Sequence, residues 1–428
     1  MAEKTGAAEL AAYVKRYGTI EEEFLTAAGS FGLAFAEADG AGACYDDAVA
    51  VLVASGAQAA NEGKSVWTQW KSPACVACMR GVGTETFLTS TACPRQCFFC
   101  FNPNQEDYEF FRSHANPIAD QLRERHREGA AMSQLAITGG EPLLHLPQVL
   151  EFLEVAAQLY PDAYTRLYTS GFGWTGEVQR ALADAGLNEA RFSVKMEDET
   201  AAKEEVLAAI ASAVGHFDNV MVEMPVMPGD FEAMRDLIVR LDKLGVAGIN
   251  LLELCFPFHN AEAFVERGYR LKPTPYRVLY DYWYGGGLPI AGSEDTCLAL
   301  VRFALEAGLS LGVHYCSLEN KLTGQVFQQN APAARAFPGY EMDARDFFLK
   351  AVKAFGPAVP MVRRALESAG LADTAEENAD YGFIQFPPSA LAAVCDDVGD
   401  VALGLSIAIV EHDEEGMALR ELKVQPIA

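Results

Sequence analysis

An α/β fold built on a parallel sheet is what this sequence predicts, and three observations carry that prediction. Seven short runs rich in β-branched and apolar residues lie at 84–89, 134–138, 165–169, 189–194, 219–224, 248–252 and 310–314. Amphipathic helical stretches separate most of them, at 117–128, 147–159, 177–185, 201–213 and 231–244. Several of the strand runs are nearly continuous in apolar residues, as strands covered on both faces must be. A strand and a helix repeated about six times demand crossover connections between parallel strands, in a doubly wound sheet or an (α/β) barrel. In either architecture ligands bind at the carboxyl ends of the strands, so those ends are the places to search for chemistry.

The flanks read differently. Residues 1–74 are Ala-rich, with apolar residues recurring around 10–17, 24–35 and 48–57 and punctuation at Gly40 and Gly42; they predict a helical N-terminal cap. The barrel is assigned to 75–330. Residues 340–428 predict a small α+β domain, with helices at 343–354 and 359–369 and strands at 382–386, 401–410 and 417–424. The last two strands read as a hairpin turning through His412–Gly416.

Composition narrows the function. The 428 residues carry 33 Lys and Arg against 59 Asp and Glu, a formal net charge of −26, with 50% hydrophobic residues. There is ample material for a core. The acidic balance argues against nucleic acid and against anionic membrane surfaces, both of which need basic patches. No apolar run approaches the roughly 20 residues that span a bilayer, and the opening Met-Ala-Glu-Lys-Thr-Gly lacks the pattern of a secretory signal. A soluble, cytoplasmic protein is expected.

Ten cysteines lie in the chain, five of them between 75 and 100. Without a secretory signal such a cluster reads as metal ligands or redox thiols rather than disulfides. Cys44, Cys297 and Cys395 stand apart and read as small buried hydrophobes. None of the seven histidines forms a helix-face metal pair; His259 and His314, beside cysteines, are the ones worth inspecting.

After the first strand run comes Ser-Thr-Ala-Cys93-Pro-Arg-Gln-Cys97-Phe-Phe-Cys100-Phe-Asn. Three thiolates spaced CxxxCxxC on a loop leaving a strand can wrap three corners of a cubic [4Fe–4S] cluster and leave the fourth iron open. A zinc site is the competing reading, though zinc favours paired CxxC knuckles. Phe98 and Phe99 would shield the cluster. The second strand ends in Thr-Gly139-Gly140-Glu141-Pro, where two glycines permit close approach of a ligand and a carboxylate favours an ammonium group.

The triplet followed by Gly-Gly-Glu-Pro resembles the radical S-adenosylmethionine (radical SAM) superfamily. The resemblance implies a partial (β/α)6 barrel in which SAM chelates the open iron and is cleaved by one electron to methionine and a 5′-deoxyadenosyl radical. It implies Cys93, Cys97 and Cys100 as cluster ligands, Phe99 beside the adenine, and Gly139, Gly140 and Glu141 around the methionyl ammonium. Thr169, Ser170, Arg191, Ser193, Lys195 and Glu253, at later strand ends, are expected to line the same pocket.

A narrower likeness runs over about 75–320 and rests on Cys75-x-x-Cys78, Leu-Asn-Glu-Ala-Arg-Phe at 187–192, the 250–260 segment, Glu266-Arg-Gly-Tyr and Val313-His-Tyr-Cys316-Ser. It is similar to a group related to pyruvate formate-lyase activating enzymes that includes the methanogenesis-marker arginine methyltransferase. That group implies cobalamin and an auxiliary cysteine-ligated iron, for which Cys75, Cys78, Cys255 and Cys316 are the candidates, with zinc as the alternative metal. The match departs from the group at Cys255-Phe-Pro-Phe-His, and no DxHxxG-type cobalamin loop is present. The function expected is a radical SAM enzyme modifying, and in one form methylating, a peptide or protein side chain, with flavodoxin or ferredoxin as reductant. Two alternatives stand beside it: a radical SAM enzyme on a small molecule or a glycyl-radical partner without cobalamin, and a non-catalytic metal-binding module.

Overall fold

The structure is a computed structural model that describes residues 4–37, 41–280, 287–413 and 416–427. The chain forms two compact units, one of Gly32–Pro275 with Trp283–Leu322 and the other of Met1–Phe31, Tyr276–Tyr282 and Thr323–Ala428.

The larger unit is built on β1 (Gln58–Ala60), β2 (Ser65–Trp67), β3 (Thr84–Leu88), β4 (Gln134–Thr138), β5 (Tyr164–Thr169), β6 (Glu189–Phe192), β7 (Asn219–Val226) and β8 (Gly248–Glu253), then the short β9 (Cys255–Phe256) and β10 (Leu288–Pro289), and β11 (Gly312–Cys316). Among the described residues these give a nine-stranded sheet in the order β1-β2-β11-β8-β7-β6-β5-β4-β3. Neighbours from β3 through β8 to β11 all pair in parallel. The spatial order follows the chain order without reversal, so every right-handed crossover places its helix on the same face. That separates the two architectures left open by the alternation: the sheet is a partial barrel, not a doubly wound sheet, which would need a switch point. β1 and β2 run antiparallel at one edge.

Side chains alternate faces along each strand. Leu135, Ile137, Leu167, Ala190, Phe192, Val222, Ile249, Leu251 and Val313 face the helices and form the core with Phe152 and Leu153 of the Leu146–Leu159 helix and Ile238 and Leu241 of the Phe231–Leu244 helix. The opposite parity (Arg166 and Tyr168, Glu189 and Arg191, Glu223, Asn250, His314) faces the lumen.

The smaller unit holds β12 (Glu341–Met342), β13 (Leu349–Phe355), β14 (Glu376–Asn378), β15 (Phe383–Phe386), β16 (Leu403–Asp413) and β17 (Gly416–Ile427), an antiparallel sheet. The helix expected over 343–354 is corrected here: Leu349–Phe355 is a central strand buried along its length. Burial on both faces removes the polar alternation that would have marked it as β. The β16–β17 hairpin forms, with residues 414–415 of its expected turn outside the described residues.

The cap expected over 1–74 is divided between the units. Ala7–Gly29 lays Leu10, Tyr13, Val14 and Tyr17 onto Phe355, Phe383 and Val424, while Ser65–Trp67 pairs with β11 in the barrel sheet. Of the isolated cysteines, Cys297 is buried as expected and Cys395 is exposed; the side chain of Cys44 lies outside the described residues. No helix among the described residues is long and apolar enough to cross a membrane.

Under the Ala7–Gly29 helix, half-buried Glu421 accepts from Tyr13 Oη at 2.6 Å, from Tyr17 and from Ser406, and pairs with the buried Lys353 Nζ at 2.6 Å. Removing one member leaves the other charge uncompensated. Lys353→Ala is therefore expected to cost about 3 kcal/mol, read as a lowered thermal transition and faster amide exchange over 7–29. Lys353→Met should cost less, because it keeps the packing of the aliphatic stem while losing the same charge.

Candidate active site at the carboxyl ends of the strands

The β3–β4 ladder continues past its strands. Thr89 N–H donates to Thr138 O at 2.9 Å, Gly140 N–H to Ser90 O at 2.8 Å and Glu141 N–H to Ala92 O at 2.8 Å. The Gly-Gly-Glu turn thus lies directly against the cysteine loop. A Cβ on Gly140 would sit 2.1 Å from Ala92 O, and one on Gly139 2.5 Å from Ser90 O at a φ of +153°. Only glycine permits that approach. Asn102 Nδ2 donates to Gly139 O at 3.1 Å, and Thr91 Oγ1 to Tyr108 O at 2.7 Å, so the loop is fastened on both sides.

Cys93 is exposed, Cys97 and Cys100 are half-buried, and all three are free thiols. Cys100 N–H donates to Cys97 O at 3.1 Å, closing the second half of the motif into one turn. Burial pushes the Cys93 and Cys100 thiols up, with Cys97 close enough to act on both. Among the described residues no three His, Cys, Asp or Glu side chains converge on one ion. Three soft donors on one loop fit the three held corners of a [4Fe–4S] cluster.

Beside Cys97 lies an open cleft walled by Phe99, Met224 and Met227 and by Arg95, Lys195 and Asp198. An apolar wall with a few charged groups suits an adenosyl amino acid such as SAM. Lys195 Nζ donates to Ser193 Oγ at 2.7 Å and lies 5.2 Å from the Phe99 ring centroid; Arg95 pairs with Asp198. Phe98, expected to shield the cluster with Phe99, points elsewhere: it packs edge-on against Phe264 at 4.9 Å and is 8% exposed.

Five expected pocket residues, Glu141, Thr169, Ser170, Arg191 and Glu253, bond to other parts of the protein. Glu141 is fully buried, and its carboxylate accepts from Thr169 Oγ1 at 2.8 Å, Ser170 N–H at 2.8 Å, Ser170 Oγ at 2.6 Å and Leu143 N–H at 3.2 Å. Burial raises its pKa against those bonds. Glu141, Thr169 and Ser170 thus clasp the ends of β4 and β5 rather than reaching for an ammonium group. Arg191 lies inside its strand. Its guanidinium bonds Glu189, Glu223 (2.7 Å), Ser72 (3.2 Å) and Tyr168 (3.3 Å) across the lumen. Glu253 has the parity opposite to Asn250 and faces the helices, where it accepts from Leu318 N–H at 2.8 Å beside Lys272.

Of the auxiliary cysteines, Cys75, Cys78 and Cys316 act on one another electrostatically, whereas the charged groups acting on Cys255 are Lys321 and Glu253. Asn250 Nδ2 donates to Cys75 Sγ and Asn320 Nδ2 to Cys316 Sγ, each at 3.2 Å. His314 is not a ligand. Its Nδ1 meets Asn250 Oδ1 at 2.7 Å and its Nε2 meets Ser65 Oγ at 2.8 Å, and burial drives its pKa well down, so it bridges the two as a neutral ring. Sequence reasoning missed Arg166, whose Nη1 is buried without a partner near Cys78, and Lys71 beside the same three thiols; no motif marks a lumen residue, because only the barrel's closure brings these together.

Gly140→Ala is expected to prevent iron loading of the loop by driving it off β4, measured as iron per chain after anaerobic reconstitution. Glu253 provides a pH test. Burial and the neighbouring Glu294 lift it from 4.5 to about 7. Between those values the unfolded chain ionises this carboxyl while the folded chain keeps its proton, so stability should fall as pH rises through that window. Glu253→Gln should flatten the melting temperature between pH 5 and 8; an unchanged slope would exclude the assignment.

The Radical SAM superfamily model matches residues 87–241. A Methanocaldococcus jannaschii protein named as a glycyl-radical enzyme activating enzyme is 24% identical over 250 residues, 56% of this chain and 62% of that protein. The chain thus spans less than two thirds of that relative's length. Among solved structures, SuiB of Streptococcus suis bound to the precursor peptide SuiA shares 16% identity at a TM-score of 0.35, over 40% of this chain and 39% of that one. The methyltransferase TsrM of Kitasatospora setae shares 18% at 0.33, over 47% and 41%. The chain carries a radical SAM domain over residues 87–241.

Proposed function

We propose that this protein is a radical SAM enzyme that cleaves SAM reductively at the 93–100 loop and modifies a side chain of a peptide or protein. The observation that carries this reading is the three-thiol loop held open against a backbone-only turn, with an amphipathic cleft beside it. When bound, the cluster and SAM supply one electron and a 5′-deoxyadenosyl radical. The chain's own residues do the rest. Cys93, Cys97 and Cys100 would hold three irons, Phe99, Met224 and Met227 exclude water from the adenosyl side, and Lys195 offers a cation to the methionyl carboxylate. Gly139 and Gly140 bring backbone to the amino-acid end, with Glu141, Thr169 and Ser170 as their brace. The reductant is a flavodoxin or ferredoxin.

A macromolecular substrate is favoured because the M. jannaschii relative is named for activating another enzyme; the same likeness favours, as a second reading, abstraction of hydrogen from a glycine of a partner protein. Cys75, Cys78 and Cys316 are the thiols that would hold an auxiliary iron or zinc, with Cys255 set apart. Methylation with cobalamin is the form of the reaction that corrinoid in the purified protein would assign, and stoichiometric zinc in place of iron would assign a non-catalytic module.

Anaerobically reconstituted protein should carry about four irons at the loop and form 5′-deoxyadenosine with dithionite. Cys97→Ala should abolish that product; undiminished cleavage by this variant would refute the proposal.

A further inference from the structure

The segment after β9 is strapped to the cysteine loop from behind. His259 Nε2 lies 2.9 Å from Cys100 O, and Asn260 Nδ2 donates to Phe98 O at 3.0 Å. In return Asn104 Nδ2 donates to Pro257 O at 2.8 Å. A carbonyl only accepts, so His259 carries its hydrogen on Nε2. The residues on either side of this histidine are held in left-handed backbone, Phe258 at φ 62° and Asn260 at φ 57°. Such conformations are strained for a side chain like that of Phe258 and persist only where the surroundings over-determine them. Phe98 is locked on the same side by Phe264 and by Arg267, whose guanidinium lies 4.2 Å from its ring centroid.

The strap takes the loop's carbonyls, and the loop's amides turn to its sulfurs. Arg95 N–H donates to Cys93 Sγ at 3.4 Å, and the Asn102 amide acts on the Cys100 sulfur, favouring its thiolate against the effect of burial. The Cys100 carbonyl shares one planar peptide with the Phe101 amide, so pinning that carbonyl fixes the plane from which the chain turns into the next peptide, the one that carries the Asn102 amide. Hydrogen bonds to ligand sulfurs stabilise the more negative, reduced state of an iron–sulfur cluster and raise its potential.

We infer that His259 and Asn260 are positioning residues that hold the amides of the 93–102 loop on the cluster's cysteine sulfurs and thereby set its reduction potential. This rests on the radical SAM reading. The test compares His259→Ala, His259→Gln and Asn260→Gly, each reconstituted anaerobically, by redox titration followed by electron paramagnetic resonance and by 5′-deoxyadenosine formation at fixed dithionite. His259→Ala should move the potential more negative and slow cleavage about tenfold or more. His259→Gln, which restores an N–H donor, should recover much of both. Asn260→Gly keeps the left-handed backbone without strain, so it should fold and still shift the potential. In iron-free protein, amide exchange over 93–102 should quicken in His259→Ala. Wild-type potentials in both His259→Ala and Asn260→Gly, or a glutamine variant as impaired as alanine, would overturn the inference. A wild-type chain that binds no iron would instead overturn the radical SAM reading.

Discussion

Two backbones that touch with no side chain between them set the geometry of the whole site. The contact of Gly139 and Gly140 with Ser90–Ala92 extends the β3–β4 ladder beyond the sheet, so the cysteine loop leaves the barrel in a direction fixed by parallel pairing rather than by flexible packing. Everything above the strands follows from this. Asn102 returns to Gly139, and Glu141 is carried into a buried position where Thr169 and Ser170 can clasp it. A carboxylate with four donors is a rigid brace, and its burial is tolerable only because each oxygen is satisfied.

Beneath the site, the lumen is polar instead of being filled by apolar layers. Hydrogen bonds run from Tyr168 through Arg191, Glu223 and Asn250 to His314 and Ser65. Buried charges are costly unless paired, and here pairing proceeds strand by strand at successive register positions. The Pro73–Cys78 helix enters the same network through Ser72 and Cys75. Removing a member would leave neighbours with unmet charge, so the network gives the barrel interior one arrangement.

The loop has a second anchor in the 257–260 strap. The Gly-Gly turn fixes where the loop begins, and His259 and Asn260 fix how its far end is turned. His259 and Asn260 engage the carbonyls of Cys100 and Phe98, within the Cys97–Cys100 turn itself, which the Asn102–Gly139 and Thr91–Tyr108 bonds do not touch.

Much of this was legible in the sequence. Seven strand runs separated by helices specified a parallel α/β sheet, because period-2 and period-3.6 patterns are local. The CxxxCxxC triplet and the Gly-Gly-Glu-Pro turn could be read directly, and the structure sets the turn against the residues leading into the cysteine loop, because loops and tight turns are written in contiguous residues. Tertiary structure decided the rest. Chain order in the sheet, not alternation, distinguished barrel from doubly wound fold. Strand parity turned Glu253 outward and Arg191 into the lumen, and a one-residue difference in where a strand begins is below what propensity resolves. Leu349–Phe355 read as helix because burial on both faces erased its alternation. His259 and Asn260 lie far along the chain from the loop they hold, and Cys316 lies far from Cys75 and Cys78; only the pairing of distant strands brings them together, and no local pattern encodes a contact made that way.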